Sequence, residues 1–373
     1  MRNGTDLTDV PLPHYDPVAA ARGIARAIHA RAGQVDDAAA YPVEDIAELT
    51  AAGLLSACLP LDHGGLGFGH GAATTDTLRE TLMAIGAASL TVGRLYEGHV
   101  NALKLVATYA PDALPLLASE ITAGRLSGVW NAERGDGLSA VRINGGWRLR
   151  GGKIHCSGSG AIRRPVVTAK VGDDGPLMML PDVTPDRVDI SVWRAAGMRG
   201  TATGTVDFTG LFVPDAAVVG QPGDYYRGPF FSGGAWRVIA VQLGGLNTVM
   251  ELHAEKLGLR GGADPVLRAR LARAGAAHEA ARLIVREAAA RAEGGGDSTE
   301  IDAYVDLARG GFEELALICI EATRRNIGLG SFIAPDPLDR GLRDLETYLR
   351  QPFLDASRDN AAGWLLAHGG RFA

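Results

Sequence analysis

One short stretch of otherwise apolar sequence carries side chains suited to chemistry: Gly93-Arg94-Leu95-Tyr96-Glu97-Gly98-His99-Val100-Asn101. On a helix Arg94 and Glu97 are neighbours at i,i+3, and Glu97 and Asn101 at i,i+4, so they form a single polar stripe. Burying such groups without partners costs on the order of several kcal/mol. If the stripe faces a site, it therefore predicts a polar substrate, with Arg94, Tyr96 and Asn101 binding it and Glu97 or His99 acting as acid or base. An internal salt bridge or a solvent-facing stripe is the competing reading, because a helical stripe has no intrinsic inward direction.

The elements that must position these residues fall into three regions. From Pro17 to about Gly124, Ala- and Leu-rich segments have helical spacing, including Tyr41 to Leu55, which carries acidic residues in its first turn and meets Gly53 near its end. From about Ser127 to Val219 the pattern changes to short alternating runs. These are Trp147–Arg150, Val166–Val171, Leu177–Leu180, Val188–Val192 and Thr205–Phe208, read as half-buried strands of a compact β-domain. From Trp236 the helical period returns in Pro265–Glu293, Ile301–Ile327 and Leu338 to the end, with Gly294-Gly295-Gly296-Asp297-Ser298 as an interhelical loop. The expected class is α+β: an N-terminal helical domain (1–124), a central β-domain (125–225) and a C-terminal four-helix bundle (226–373).

Composition sets the bounds. At 373 residues the chain exceeds what one hydrophobic core usually organises. With 46% hydrophobic and 21% charged residues it should fold. A net charge of -6 supplies no broad basic field, so neither nucleic acid nor an anionic membrane is an expected partner. No stretch approaches the roughly 20 apolar residues of a membrane span, and Met1 to Pro13 lacks the apolar core of a secretory signal, so the cytoplasm is the expected location. The three cysteines, Cys58, Cys156 and Cys319, are far apart and suggest buried thiols, with neither a disulfide framework nor a metal site.

Five blocks, in order, resemble the acyl-CoA dehydrogenase family. They are Leu59-Pro60 followed by Gly64-Gly65-Leu66-Gly67, Trp130-Asn131-Ala132-Glu133 with Gly135-Asp136-Gly137, and Lys153-Ile154-His155-Cys156-Ser157. The last two are Gly197-Met198-Arg199-Gly200-Thr201 and Pro337-Leu338-Asp339 leading to Arg343-Asp344. They cover roughly residues 40 to 360. The resemblance implies a flavoprotein with FAD, or FMN if the chemistry is monooxygenation. It places Trp130, Asn131, Ala132 and Glu133 around the isoalloxazine, Ser157 near N5, and His155 stacked on the ring or moving a proton. Termination of a strand is the plainer role of Ser157, and a structural hydrogen bond that of His155. At the family's dinucleotide-tail positions stand Lys256 with Arg260, and Arg324 with Arg325, which would neutralise a pyrophosphate or else lie on solvated helix faces. A flavin site shared between subunits implies a homodimer or homotetramer, with an electron-transfer or flavin-reductase partner.

The family's carboxylate base is missing. After Arg343-Asp344 comes Tyr348-Leu349-Arg350-Gln351-Pro352-Phe353, where an ungapped count lands on Pro352, and the alternative location reads Ala235-Trp236-Arg237. Glu346 and Asp355 flank the first position. The leading expectation is α,β-dehydrogenation of an acyl thioester by hydride transfer to flavin N5. The alternative is a flavin-dependent monooxygenase or N-oxygenase acting on a polar small molecule, which needs no such base. A non-catalytic flavoprotein or scaffold is the third reading.

Overall fold

The computed structural model describes residues 15–173, 175–259, 262–350 and 353–372. Helices α1 (Pro17–Ala38), α2 (Val43–Ala51), α3 (Thr75–Ala88), α4 (Leu90–Tyr109) and α5 (Leu114–Thr122) come first. Asp16 caps α1 by accepting from the Val18 and Ala19 amides, and Ser89 caps α4 through Val92. The helix expected over Tyr41–Leu55 is shorter at both ends. Pro42 occupies its cap, and Gly53 adopts φ +73 beyond its last turn.

The described strands all lie between Val129 and Val219: β1 (Val129–Trp130), β2 (Glu133–Ile143), β3 (Gly146–Cys156), β4 (Val166–Lys170), β5 (Pro176–Met179), β6 (Val188–Asp189), β7 (Gly204–Asp207), β8 (Phe212–Pro214) and β9 (Val218–Val219). They form one mixed sheet in the order β6-β7-β3-β2-β4-β5-β9, with β1 on β4 and β8 on β3. Two expectations need correction. The strand expected over Val188–Val192 stops at Asp189, whose Oδ1 accepts from the Ser191 amide at 2.9 Å and its hydroxyl at 2.6 Å and so turns the chain. Glu133–Ile143, whose glycines hide any alternation, is an 11-residue strand interrupted by a bulge between Arg134 and Ser139.

Helices α6 (Phe230–Leu259), α7 (Pro265–Gly294) and α8 (Ser298–Ile327) pack on one another, α9 (Pro337–Tyr348) lies on α6, and α10 (Leu354–Ala367) on α8. Asp264 and Asp297 cap α7 and α8. The run from Leu338 to the end is thus two helices. Helix α6 also begins ahead of Trp236, and its first half packs against α3 and α4. Backbones meet closely there: a Cβ built on Gly86 of α3 would collide with Val241 O, and one on Gly244 with Met83 O. That approach makes the N- and C-terminal helices share one core, which also includes the inner face of the sheet.

The motif-bearing turns form a joint between layers. Arg343 on α9 reaches Asp36 of α1 (2.8 Å), Asp339 (2.9 Å) and the Ala196 carbonyl (2.8 Å), while Asp344 accepts the Met198 amide at 2.5 Å. Burial pushes the Asp344 carboxyl up to about 6 despite that bond. No described helix is long and apolar enough to cross a membrane.

Candidate active site

The polar stripe of α4 points inward. Glu97 is 1% exposed and receives three donors: Arg94 Nη1 on Oε1, Asn101 Nδ2 on Oε2 at 2.6 Å, and the Tyr348 hydroxyl on Oε1 at 3.4 Å. Burial raises its carboxyl above the ordinary range, a push that Arg94 and Arg237 only partly offset. Asn101 continues the chain, its Oδ1 accepting from Arg237 Nη1 at 2.9 Å. Arg237 in turn pairs with Glu293 on α7, which also accepts from Trp236 Nε1 at 3.0 Å and from Lys104 Nζ at 2.7 Å. Burial drives Lys104 down to about 8. It would raise Glu293, but Arg237 and Lys104 outweigh it and hold that carboxyl low. Arg237 Nε is buried with no hydrogen-bond partner among the described residues.

Two residues expected on this face serve elsewhere. His99 is fully buried and has both ring nitrogens committed to backbone: Nε2 lies 3.1 Å from Leu55 O, and Nδ1 accepts the Ser127 amide at 3.0 Å. That pairing requires the neutral Nε2–H tautomer, and burial pulls the imidazole down to about 4. The ring ties α4 to the segment entering the sheet and has no nitrogen free for acid-base work. Tyr96 is likewise buried, donating to Leu54 O at 2.9 Å beside Cys58 Sγ. Glu346 is engaged by Arg324, and Asp355 pairs with Arg358 on the surface.

At the β-domain edge, Trp130 is buried and donates through Nε1 to Ser157 O at 3.0 Å. The Ser157 hydroxyl accepts from Thr203 at 3.3 Å, and Thr203 meets Thr201 at 2.8 Å. His155 adopts φ +54, is exposed, and stands edge-on to Trp193 with centroids 6.4 Å apart. These two rings with Arg194, Thr203 and Thr205 line a cleft of about 360 Å³. Asn131 takes a 2.5 Å bond from Thr168 and gives one of 3.3 Å to Tyr226, and the Ala132 carbonyl accepts the Ile154 amide. Glu133 binds the buried Lys153 at 2.7 Å and the Leu138 amide at 2.8 Å, holding the β2 bulge.

The expected phosphate-binding cations do not converge. Lys256 pairs with Asp336 at 2.6 Å. Arg324 pairs with Glu346 at 2.6 Å and lies over the Phe332 ring. Arg325 is exposed, pairs with Glu321, and with Arg270 and Arg273 lines a separate cleft of about 230 Å³. Arg260 lies outside the described residues. Sequence reasoning missed Lys104, Arg237, Glu293, Tyr348 and Thr203. A signal existed for Lys104 and Arg237, which are cations set within otherwise apolar helical runs, but their partners sit on other helices.

Helices, mixed sheet and helices around this buried polar centre constitute the acyl-CoA dehydrogenase fold, a scaffold shared with flavin-dependent monooxygenases. The chain superposes on the dibenzothiophene monooxygenase of Paenibacillus sp. A11-2 with TM-score 0.81, at 20% identity in its FMN-bound form, over 96% of this chain and 98% of that one. It matches the 3-HSA hydroxylase of Rhodococcus sp. RHA1 with TM-score 0.81 at 18% identity, over 97% and 99%. In sequence it is 29% identical over 221 residues to the dibenzothiophene monooxygenase of Rhodococcus erythropolis, covering 56% of this chain and 52% of that protein. A 3-sulfinopropanoyl-CoA desulfinase of Advenella mimigardefordensis is 26% identical over 226 residues, covering 56% and 55%. The matches thus span about half the length of these curated relatives. No family profile matches the chain.

Proposed function

We propose that this chain is a flavin-dependent monooxygenase that transfers one atom of dioxygen to a polar small molecule. The observation that carries the reading is the ionic wall Arg94–Glu97–Asn101–Arg237: the segment Gly93–Asn101 resembles the helix that lines the acyl pocket in acyl-CoA dehydrogenases, and an acyl chain would want an apolar wall there. Its only buried acid on α4, Glu97, already has three donors, and Tyr348 stands on the segment where the family's base is expected. The likeness to monooxygenases in both sequence and fold supports this alternative over the leading expectation of acyl-thioester dehydrogenation.

The β-domain edge suits a flavin. Its cleft, at about 360 Å³, falls in the range of roughly 300–1,000 Å³ usual for small-molecule sites. It offers aromatic faces from His155 and Trp193 and hydroxyls from Thr203 and the adjoining Ser157. When bound, reduced FMN or FAD supplies the two electrons with which dioxygen is divided between hydroxylated product and water. Ser157 and Thr203 then orient the ring edge, and Trp130 keeps Ser157 in register. Glu97 Oε1 accepts from Arg94 and from the Tyr348 hydroxyl and so holds both side chains in place. A homodimer or homotetramer and a separate flavin reductase complete the reading.

Reduced FMN and FAD, kept anaerobic, should each be retained by the purified protein, and hydrogen peroxide should form more slowly from the bound than from the free flavin once air is admitted. Failure to retain either flavin removes the proposal. Anaerobic bleaching of bound oxidised flavin by butyryl-, octanoyl- or palmitoyl-CoA would return the chain to the dehydrogenases.

A further inference from the structure

Three cations and two carboxylates make up the buried network: Arg94, Lys104 and Arg237 against Glu97 and Glu293. Of the three cations, Arg94 is the one whose side chain reaches open space. Every other residue of α4 from Leu90 to Val100 is buried, whereas the Arg94 side chain is 25% exposed. Its Nη1 is spent on Glu97, and its Nε and Nη2 donate to no described residue. Those two donors form the side edge of the guanidinium fork, whose spacing matches the two oxygens of a carboxylate.

The neighbours locate the guanidinium in the fold. A Cβ on Gly98 would lie 3.3 Å from Arg94 Nη1 and 4.0 Å from Gly128 Cα, and one on Gly128 would lie 3.6 Å from Trp130 Nε1. Arg94 thus occupies the seam between α4 and the strand that supports Ser157. We propose that the substrate of this site is a carboxylate, gripped by Arg94 through Nε and Nη2 while Glu97 holds the opposite side of the guanidinium. This deepens the monooxygenase reading by naming its substrate class and rests on it for the reaction, although the binding step itself requires no flavin.

The test uses the full chain without flavin and isothermal calorimetry with acid and amide pairs: benzoate and benzamide, phenylacetate and phenylacetamide, indole-3-carboxylate and its amide. At least one acid should bind about tenfold or more tightly than its amide. Arg94→Gln should abolish that preference. Arg94→Lys, which keeps the charge but lacks the fork, should weaken acid binding about tenfold, and it decides the matter if the Gln variant does not fold. The proposal is overturned if no acid outbinds its amide, or if the preference survives unchanged in the variant that folds. Carboxylate binding by a protein that retains no flavin would sink the monooxygenase reading alone, and flavin retention without acid preference would sink this inference alone.

Discussion

At the scale of single residues, the interior of this protein is organised by what each buried polar group is bonded to. Glu97 and Arg94 illustrate the point, since each is tolerated inside only because the other is there. Glu97→Gln keeps the shape but leaves the half-buried Arg94 without its carboxylate partner, and should lower unfolding free energy by about 1–3 kcal/mol. Urea denaturation at pH 7 measures this, and a loss below about 1 kcal/mol would place the pair in effective contact with solvent. His99 makes a different prediction. Its folded value near 4 lies below the ordinary 6.5, so the unfolded chain binds the proton first as pH falls. Stability from this group is therefore present above about 6.5 and is lost as pH falls toward 4. The His99 ring carbon signal in a proton–carbon NMR titration should stay at its neutral position down to about pH 5. A midpoint near 6.5 contradicts the backbone pairing to Leu55 and Ser127.

At the scale of elements, two joints hold the site in place. The first is the contact of α3 with α6 through Gly86 and Gly244, beside the α4–α6 contact across which Arg237 reaches Asn101. Gly86→Ala would force those backbones apart, and a loss of about 1–3 kcal/mol should appear as a lowered thermal midpoint; an unchanged midpoint removes the joint. The second is Asp344 on the Met198 amide. Here the folded pKa of about 6 lies above the unfolded value, so the folded chain holds the proton more strongly and stability declines as pH rises from about 4 to 6. This opposes the His99 trend over nearly the same interval. Asp344→Asn removes the decline, so its stability relative to the parent should improve between pH 4.5 and 6.5 in urea midpoints. A constant difference would mean that Asp344 ionises normally.

At the scale of the whole molecule, the helical layers and the sheet share one core, and the polar network is enclosed where they meet. Because the layers share that core, a ligand that binds the β-domain cleft only in the folded state stabilises every layer at once. Reduced FMN or FAD at a hundredfold excess over its Kd should add about 2.7 kcal/mol and raise the thermal midpoint by a few degrees. A scan with no shift for either flavin, at concentrations where retention is measured, would falsify a flavin site in that cleft.

The sequence by itself determined the succession of helices, strands and helices, the motif blocks, and the polar stripe Arg94–Glu97–Asn101, because periodicity and turn chemistry are local properties. It also specified that the position expected for the family's base, Pro352 by an ungapped count, holds no acid. The Glu133–Ile143 strand stayed hidden because its glycines interrupt alternation, and Val188–Val192 was overextended because a side-chain turn at Asp189 competes with pairing. Only the tertiary structure decided that the stripe faces inward and that His99 is a strut between backbone groups. It likewise brought Glu293 and Tyr348, some 200 and 250 positions away, onto the residues of α4. The physical reason is that burial and charge pairing depend on which distant elements meet, which the spacing along one helix does not encode.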